Sequence, residues 1–326
     1  MTAETPGAGD RLPRRAWSWL PAQVDRRVRV IAWLSLVFQV ILIGTGGAVR
    51  LTASGLGCPT WPNCTADSFV NTPEMGAHGI IEFTNRMLTF VLSAVVILAF
   101  LFVLRFRKAR PDLFGLTLAQ GLSIPFQAVV GGITVLTGLN PYVVGVHFAV
   151  SIALVVITTV LVWRVYRGRE AAGRVYPLVA PHWIGGLAIA AAVFAGVTVV
   201  VGILTTGSGP HAGDNSNPDK PAPRNGLDPQ LLQHVHSWPA YALLAITIAL
   251  VVAAIALRAR RVRAFALGLL AVELVQVVVG ISQARLGLPE LLVGIHMVLA
   301  GCLVAAVTAV VLATREPVAD EPTRAA

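Results

Sequence analysis

Gln127-Ala-Val-Val-Gly131-Gly-Ile, a turn, then Tyr142-Val-Val-Gly145-Val-His147-Phe-Ala-Val, is met again as Gln276-Val-Val-Val-Gly280-Ile, a turn, then Leu291-Leu-Val-Gly294-Ile-His296-Met-Val-Leu. Twenty residues separate glutamine from histidine in both copies, and the matched positions are offset by 149, Leu139 with Leu288 included. A repeat of this length points to a duplicated helical unit. Each copy sets one histidine about one turn into an apolar helix. The functional question is what two such histidines bind.

The rest of the chain fixes the setting. Of 326 residues, 56% are hydrophobic and 13% charged, with a mean hydropathy of +0.74. That is more apolar than a soluble domain of this size. Apolar runs of roughly 20 residues recur, which reads as a polytopic membrane protein. The net charge of +9 is carried by arginines gathered in short loops. It therefore reports orientation in a bilayer and not nucleic-acid binding. The first apolar run is long and lacks a cleavage site, so it reads as a span and not as a secretory signal.

Residues 1–27 form a basic arm with Arg11, Arg14, Arg15, Arg26 and Arg27, interleaved with Trp17 and Trp19, as juxtamembrane interfacial segments do. Eight apolar segments follow, near 28–50, 77–104, 112–137, 142–164, 182–204, 231–257, 263–284 and 290–313. Arg105, Arg107, Lys108 and Arg110 follow the second; Arg164, Arg167, Arg169 and Arg174 the fourth; Arg258, Arg260, Arg261 and Arg263 the sixth. The other loops carry few basic residues. By the positive-inside rule both termini are cytoplasmic, and the loops after segments one, three, five and seven face outward.

The duplication extends further. Segment one ends Gly44-Thr-Gly-Gly-Ala-Val-Arg50-Leu-Thr-Ala-Ser54-Gly55, and segment five ends Val201-Gly-Ile-Leu-Thr-Thr-Gly-Ser208-Gly209. Four spans per unit is an even number, so both units enter from the same side and the repeat is parallel. The expected fold is all-α and integral to the membrane: eight transmembrane helices in two parallel-repeat four-helix bundles. The halves are 28–164 and 182–313, joined by a cytoplasmic linker at 165–181 and followed by a tail at 314–326.

Topology sorts the seven histidines. His78, His147, His236 and His296 lie near the outer ends of even-numbered segments; His234 precedes His236 by two residues, His211 is in an outer loop and His182 starts segment five. Two histidines at matched depth on parallel helices can hold one iron, and imidazole is a strong haem axial ligand. His236 and His296 fit this in the second half, with His234 as the alternative to His236. The competing reading is an interhelical hydrogen-bonded pair. A zinc site ranks lower, because no Cys/His/Asp/Glu set has metal-ligand spacing. In the first half His147 matches His296, but Asn85 stands where His236 would be. This asymmetry suggests a permanent haem in the second half and a more open, reactive site in the first. Glu82 shares a helix face there with His78 and with Asn85 or Arg86. A carboxylate beside an apolar site can shuttle protons; its bland reading is a structural pair with Arg86. Glu273 sits mid-span without an evident partner.

Cys58-Pro-Thr-Trp-Pro-Asn-Cys64 lies in the first outer loop. An oxidising exterior makes a disulfide plausible there, structural or redox-active, with prolines and glycines stiffening the loop as a lid. Cys302 reads as a packed small residue.

At these residues the chain resembles haem A synthase in its actinobacterial form, over about 28–313. The resemblance rests on Ser-Gly-Leu-Gly-Cys58-Pro…Cys64, Ile81-Glu82-Phe-Thr-Asn85-Arg86, Gly-Ser-Gly-Pro-His211-Ala-Gly-Asp214 and the doubled Gln…Gly…His unit. It implies oxidation of the C8 methyl of haem O to a formyl group, by successive hydroxylations and loss of water from a gem-diol, giving haem A for terminal oxidases. It implies haem b as cofactor on His236 and His296, substrate haem on His147, a proton-handling Glu82 and a Cys58–Cys64 loop pair. Many family members have histidine where this chain has Asn85. His78 lies two turns earlier, about 10 Å along the axis, so the expectation is His147 alone, or His147 with a rearranged His78. Arg50 and Arg86 are candidates for haem propionates. The implied partners are haem O, a haem O synthase, membrane lipid and an unassigned electron acceptor, in the plasma membrane. Two other classes compete: a non-catalytic b-type cytochrome in quinol electron transfer, which gives Glu82 no task, and a transporter, which predicts no haem.

Overall fold

The computed structural model describes residues 18–167, 181–214 and 221–315. Arg11, Arg14, Arg15, Trp17, Arg169, Arg174 and nearly all of the tail lie outside the described residues. Among the described residues, eight helices are long and apolar enough to cross a membrane: α1 (Arg26–Leu51), α2 (Gly76–Leu104), α3 (Pro111–Leu136), α4 (Pro141–Val165), α5 (His182–Ser208), α6 (Pro229–Ala256), α7 (Arg260–Arg285) and α8 (Glu290–Ala313). The protein is a multi-pass membrane protein.

Helices α1, α4 and α6 begin slightly before their apolar runs because polar residues cap them. Asp25 accepts from the Val28 N–H at 3.1 Å, and Asp228 from those of Gln230 and Leu231 at 2.8 and 3.0 Å. Asn140 accepts from the Tyr142 N–H at 3.0 Å. Each satisfies donors that a helix start leaves orphaned. Pro111, Pro141 and Pro229 occupy first-turn positions, where no N–H is needed.

The α3–α4 and α7–α8 turns repeat even in backbone conformation. Leu139 has φ 64° and Leu288 φ 62°, and each follows a positive-φ glycine, Gly138 or Gly287.

Packing joins α1 to α2, α2 to α3, α3 to α4 and α4 back to α1. In the same manner α5 meets α6, α6 meets α7, α7 meets α8 and α8 meets α5. The halves touch where α1 and α4 meet α8 and where α4 meets α5. Small residues bring the backbones close at this seam. A Cβ on Gly44 would sit 3.0 Å from Val298 Cγ2, and one on Gly301 3.3 Å from Ile43 Cδ1.

Two ends of the molecule can be told apart. At the end carrying the arginine loops, the interior is closed: Ser35, Val96, Gln120 and Thr158 are fully buried in the first half, and Ala188, Leu250, Leu269 and Val310 in the second. Arg110 locks this end. It is ion-paired with Asp112 at 2.9 Å and donates to the Arg164 and Arg167 carbonyls at 2.8 and 2.9 Å, and its side chain is buried. Arg110→Ala leaves those acceptors and a buried carboxylate unpaired, a loss of about 3–5 kcal/mol. The expected result is a clearly lower unfolding temperature in detergent; an unchanged one would show the lock to be unimportant.

At the opposite end, which carries Cys58 and Cys64, the same inward faces open. Gly46, Gln127 and His147 are only half-buried in the first half, as are Gly202, His236, Gln276 and His296 in the second. Each half is therefore closely packed for part of its depth and more loosely filled, as a hollow, around these histidines.

Candidate functional site

The second hollow holds the histidine pair. His236 on α6 and His296 on α8 reach across from opposite helices, with ring centroids 6.2 Å apart and ring planes at 69°. A metal–imidazole bond of about 2 Å, with the ring centre about 1 Å beyond the nitrogen, puts two imidazoles on one iron about 6 Å apart centre to centre. The pair therefore fits a single iron held between two helices. His234, the alternative, is exposed and bonds the Gln230 carbonyl one turn back at 2.8 Å; His236 is the inward residue.

The recurring Gln-x-x-x-Gly…His pattern has a local cause. Gln276 Nε2 donates to the His296 carbonyl at 3.1 Å, and Gln127 Nε2 to the His147 carbonyl at 3.3 Å. Four residues on, Gly280 and Gly131 make room for the imidazole. A Cβ there would lie 3.3 Å from His296 Cε1 and 3.2 Å from His147 Cε1. His236 rests in the same way on Gly202 of α5, where a Cβ would lie 2.9 Å from its Cε1. The Nδ1 atoms of His147 and His296 are buried and make no hydrogen bond to protein. Gly202→Val would drive a side chain into the His236 ring and displace it.

Around the first hollow the predicted residues separate. His147 lies on α4 above Gly131. Asn85 Oδ1 is buried without a partner. His78 is exposed, and its Nδ1 is 2.9 Å from Ser54 Oγ, so it belongs to the loop after α1 and not to the histidine across the hollow. Glu82 is buried and both of its oxygens are engaged. Oε2 accepts from the Cys58 N–H at 2.6 Å, and Oε1 is 2.6 Å from Arg86 Nη2. All three Arg86 nitrogens are engaged too: beyond Glu82, they donate to the Cys58, Thr60, Pro62 and Asn63 carbonyls.

This pair seats the loop closed by the Cys58–Cys64 disulfide. Trp61 of that loop lies over Gly132, where a Cβ would run into its ring. The loop thus spans α2 and α3 at the mouth of the first hollow. Sequence reasoning gave Glu82 and Arg86 to substrate chemistry, with a structural pair between them as the alternative, and that pair is formed; nothing in the spacing announced that the guanidinium also gathers loop carbonyls.

Arg50 is likewise occupied. Nε donates to the His211 carbonyl at 2.8 Å and Nη2 to the Thr206 carbonyl at 2.9 Å. His211 Nε2 lies 2.9 Å from the Leu288 carbonyl. Gly55 N–H donates to the Gly213 carbonyl at 2.7 Å, and Ser54 pairs with Asp214. These contacts bind the loops of the two halves into one cap. His182 is exposed at the start of α5, and Cys302 is a free, half-buried thiol. Glu273 takes the Thr247 hydroxyl at 2.8 Å, and its second oxygen is buried without a partner. Among the described residues no three His, Cys, Asp or Glu side chains gather as a metal cluster, so the iron-holding capacity is that of imidazoles in pairs or alone.

A family model described as cytochrome oxidase assembly protein, COX15-CtaA, matches residues 29–308. The chain is 37% identical over 140 residues to the heme A synthase of Bacillus pumilus, covering 41% of this chain and 44% of that protein. It is 28% identical over 148 residues to that of Listeria welshimeri, covering 44% and 48%. With the heme A synthase of Alkalihalophilus pseudofirmus it shares 27% identity over 151 residues, covering 45% and 50%. The chain spans about half the length of the curated relatives it matches.

Proposed function

The chain belongs to the COX15-CtaA family of cytochrome oxidase assembly proteins, and from that premise we propose that it is a haem A synthase, in the actinobacterial form that its loop motifs resemble. It oxidises the C8 methyl of haem O to the formyl of haem A. The observation that carries this reading is the unequal pair of hollows: one with two facing imidazoles, one with His147 and no second histidine opposite. A purely electron-carrying cytochrome gives no reason for that inequality.

In this reading His236 and His296 hold a resident haem b, and His147 holds the substrate haem. The two halves are parallel four-helix repeats about an axis along the membrane normal. The cap end faces outward and both termini are cytoplasmic, by the arginine loops. A haem in the second half supplies one-electron redox chemistry. The chain's own residues do the rest. Apolar walls dissolve the porphyrin and its farnesyl tail, with entry from the lipid side, and His147 fixes the ring. The disulfide loop, seated by Arg86 and Trp61, covers the mouth. Converting a methyl plus water to a formyl releases protons and electrons in equal number. The electrons leave to an acceptor of unassigned identity. This reading makes Glu82 the proton acceptor. A proton on Glu82 removes the charge that pairs with Arg86 and weakens the acceptor of the Cys58 N–H, so proton handling and the seat of the loop are coupled.

The test is haem extraction and chromatography on protein expressed with and without a haem O synthase. Haem B in both preparations, with haem A or its alcohol precursor only in the first, is the expected result. Haem B alone in both, with haem O supplied, would make the protein a b-type membrane cytochrome. No haem at all would reopen the transporter reading.

A further inference from the structure

The two hollows differ in a way that bears on coordination. In the second, the glycine of the first helix is filled: His236 lies against Gly202. In the first, Gly46 of α1 meets nothing within 4 Å. Gly46 lies seven residues from Gln39 and eleven from Ser35, both buried, so the helical register puts it on the inward face. On α2, Asn85 stands seven residues before Leu92 and eleven before Val96, which are buried on the inward side. Its Oδ1 is buried and unpartnered, a state that costs free energy unless a ligand answers it. The neighbouring histidine does not intervene, because His78 is held by Ser54 at 2.9 Å. Where the second half carries an imidazole, the first therefore carries a shorter amide whose buried oxygen finds no partner, and Gly46 on its first helix has open space beside it.

We propose that the first half binds its haem through His147 as the single protein ligand and leaves the position beside Asn85 to a small molecule such as water or a diatomic gas. The inference rests on the reading of this half as the substrate-haem site. Asn85 is a positioning residue: its amide carries both donor and acceptor, and it hydrogen-bonds whatever small ligand enters. The second half, with both positions taken by imidazole, stays closed to such ligands. The asymmetry then separates an electron-carrying haem from one that small molecules can reach.

Carbon monoxide tests this directly. The full-length protein is loaded with haem O in detergent, reduced with dithionite and exposed to the gas. The expected spectrum shows two populations: a low-spin haem that does not respond, and a high-spin haem whose Soret band shifts on CO binding. His147→Ala should abolish the responsive population. Asn85→His should turn it low-spin and remove the CO shift, while the resident haem is unchanged. If the wild type retains haem O but shows only low-spin, CO-silent haem, the open position is wrong and the haem A synthase reading survives. If haem O is not retained and only haem B is found, the assignment of the first half fails and this proposal falls with it. Should Asn85→His not fold, the wild type against His147→Ala still decides.

Discussion

A His296→Ala protein is expected to leave the membrane without its resident haem. The imidazole is one of two that face each other at a centroid separation of 6.2 Å, and nothing else in that hollow replaces it: the described residues bring no third ligand-type side chain to the pair. Removing an outer-sphere partner of a metal ligand already costs 10–100-fold in affinity, so removing the ligand should lower haem B occupancy by roughly 100-fold or more. The fold should tolerate the change. Gln276 bonds the backbone carbonyl of residue 296 and not its ring, so the α7–α8 seam keeps its polar contact with alanine in place. The measurement is the pyridine haemochrome of protein expressed without a haem O synthase, alongside gel filtration to confirm a monodisperse chain. Added free imidazole should restore part of the haem. A monodisperse variant with a full complement of haem B would remove His296 from the site, and the two-imidazole reading with it. His147→Ala is the internal control: under the same conditions it should keep its haem B.

The outcome of that pair of variants depends on features of unequal visibility in the sequence. The eight spans were legible because an apolar run long enough to cross a bilayer is rarely anything but a span. Most of their ends shifted by one to three residues and the end of the fifth by four; starts moved outward where Asp228 and the proline-led first turns lie outside the apolar runs. His236, His296 and His147 were legible for a different reason: a histidine in an apolar run stands out, and the Gln-x-x-x-Gly…His spacing repeats. The packing behind this spacing, glutamine to backbone and glycine under the ring, belongs to paired helices and cannot be read from a single linear stretch. Other expectations were local and met tertiary competition. His78 shares a helix face with Glu82 by spacing, but Ser54 holds its ring. Arg50 and Arg86 read as partners for haem carboxylates, yet their guanidiniums are taken up by carbonyls of the cap and the disulfide loop. An arginine with five donors can be claimed by backbone that comes near only on folding, and spacing carries no record of that.

Glu82→Gln should have the second large effect, and it should strike chemistry and loop together. The carboxylate is 2.6 Å from Arg86 Nη2 and 2.6 Å from the Cys58 nitrogen. Its side chain is 7% exposed and that of Arg86 is 19%. Breaking a buried pair from one side costs about 3–5 kcal/mol, because the remaining charge loses its counterion. Glutamine keeps the shape and one acceptor, so it can hold either the Cys58 N–H or the guanidinium, but it carries no charge and takes up no proton. Three results are expected from one preparation. Haem A yield should fall to background when haem O is supplied, resident haem B should remain, and the Cys58–Cys64 loop should become more open to protease and to reductant followed by thiol labelling. The combination matters. Lost turnover with an undisturbed loop would make Glu82 a proton acceptor whose pairing with Arg86 is incidental. A loosened loop with full turnover would make it a structural clamp and remove it from the chemistry. Loss of both, with the haem at His236 and His296 intact, is what a carboxylate doing both tasks requires. Arg86→Lys then separates charge from geometry: lysine keeps the counterion but cannot reach several carbonyls at once. It should preserve part of the turnover while leaving the loop loose.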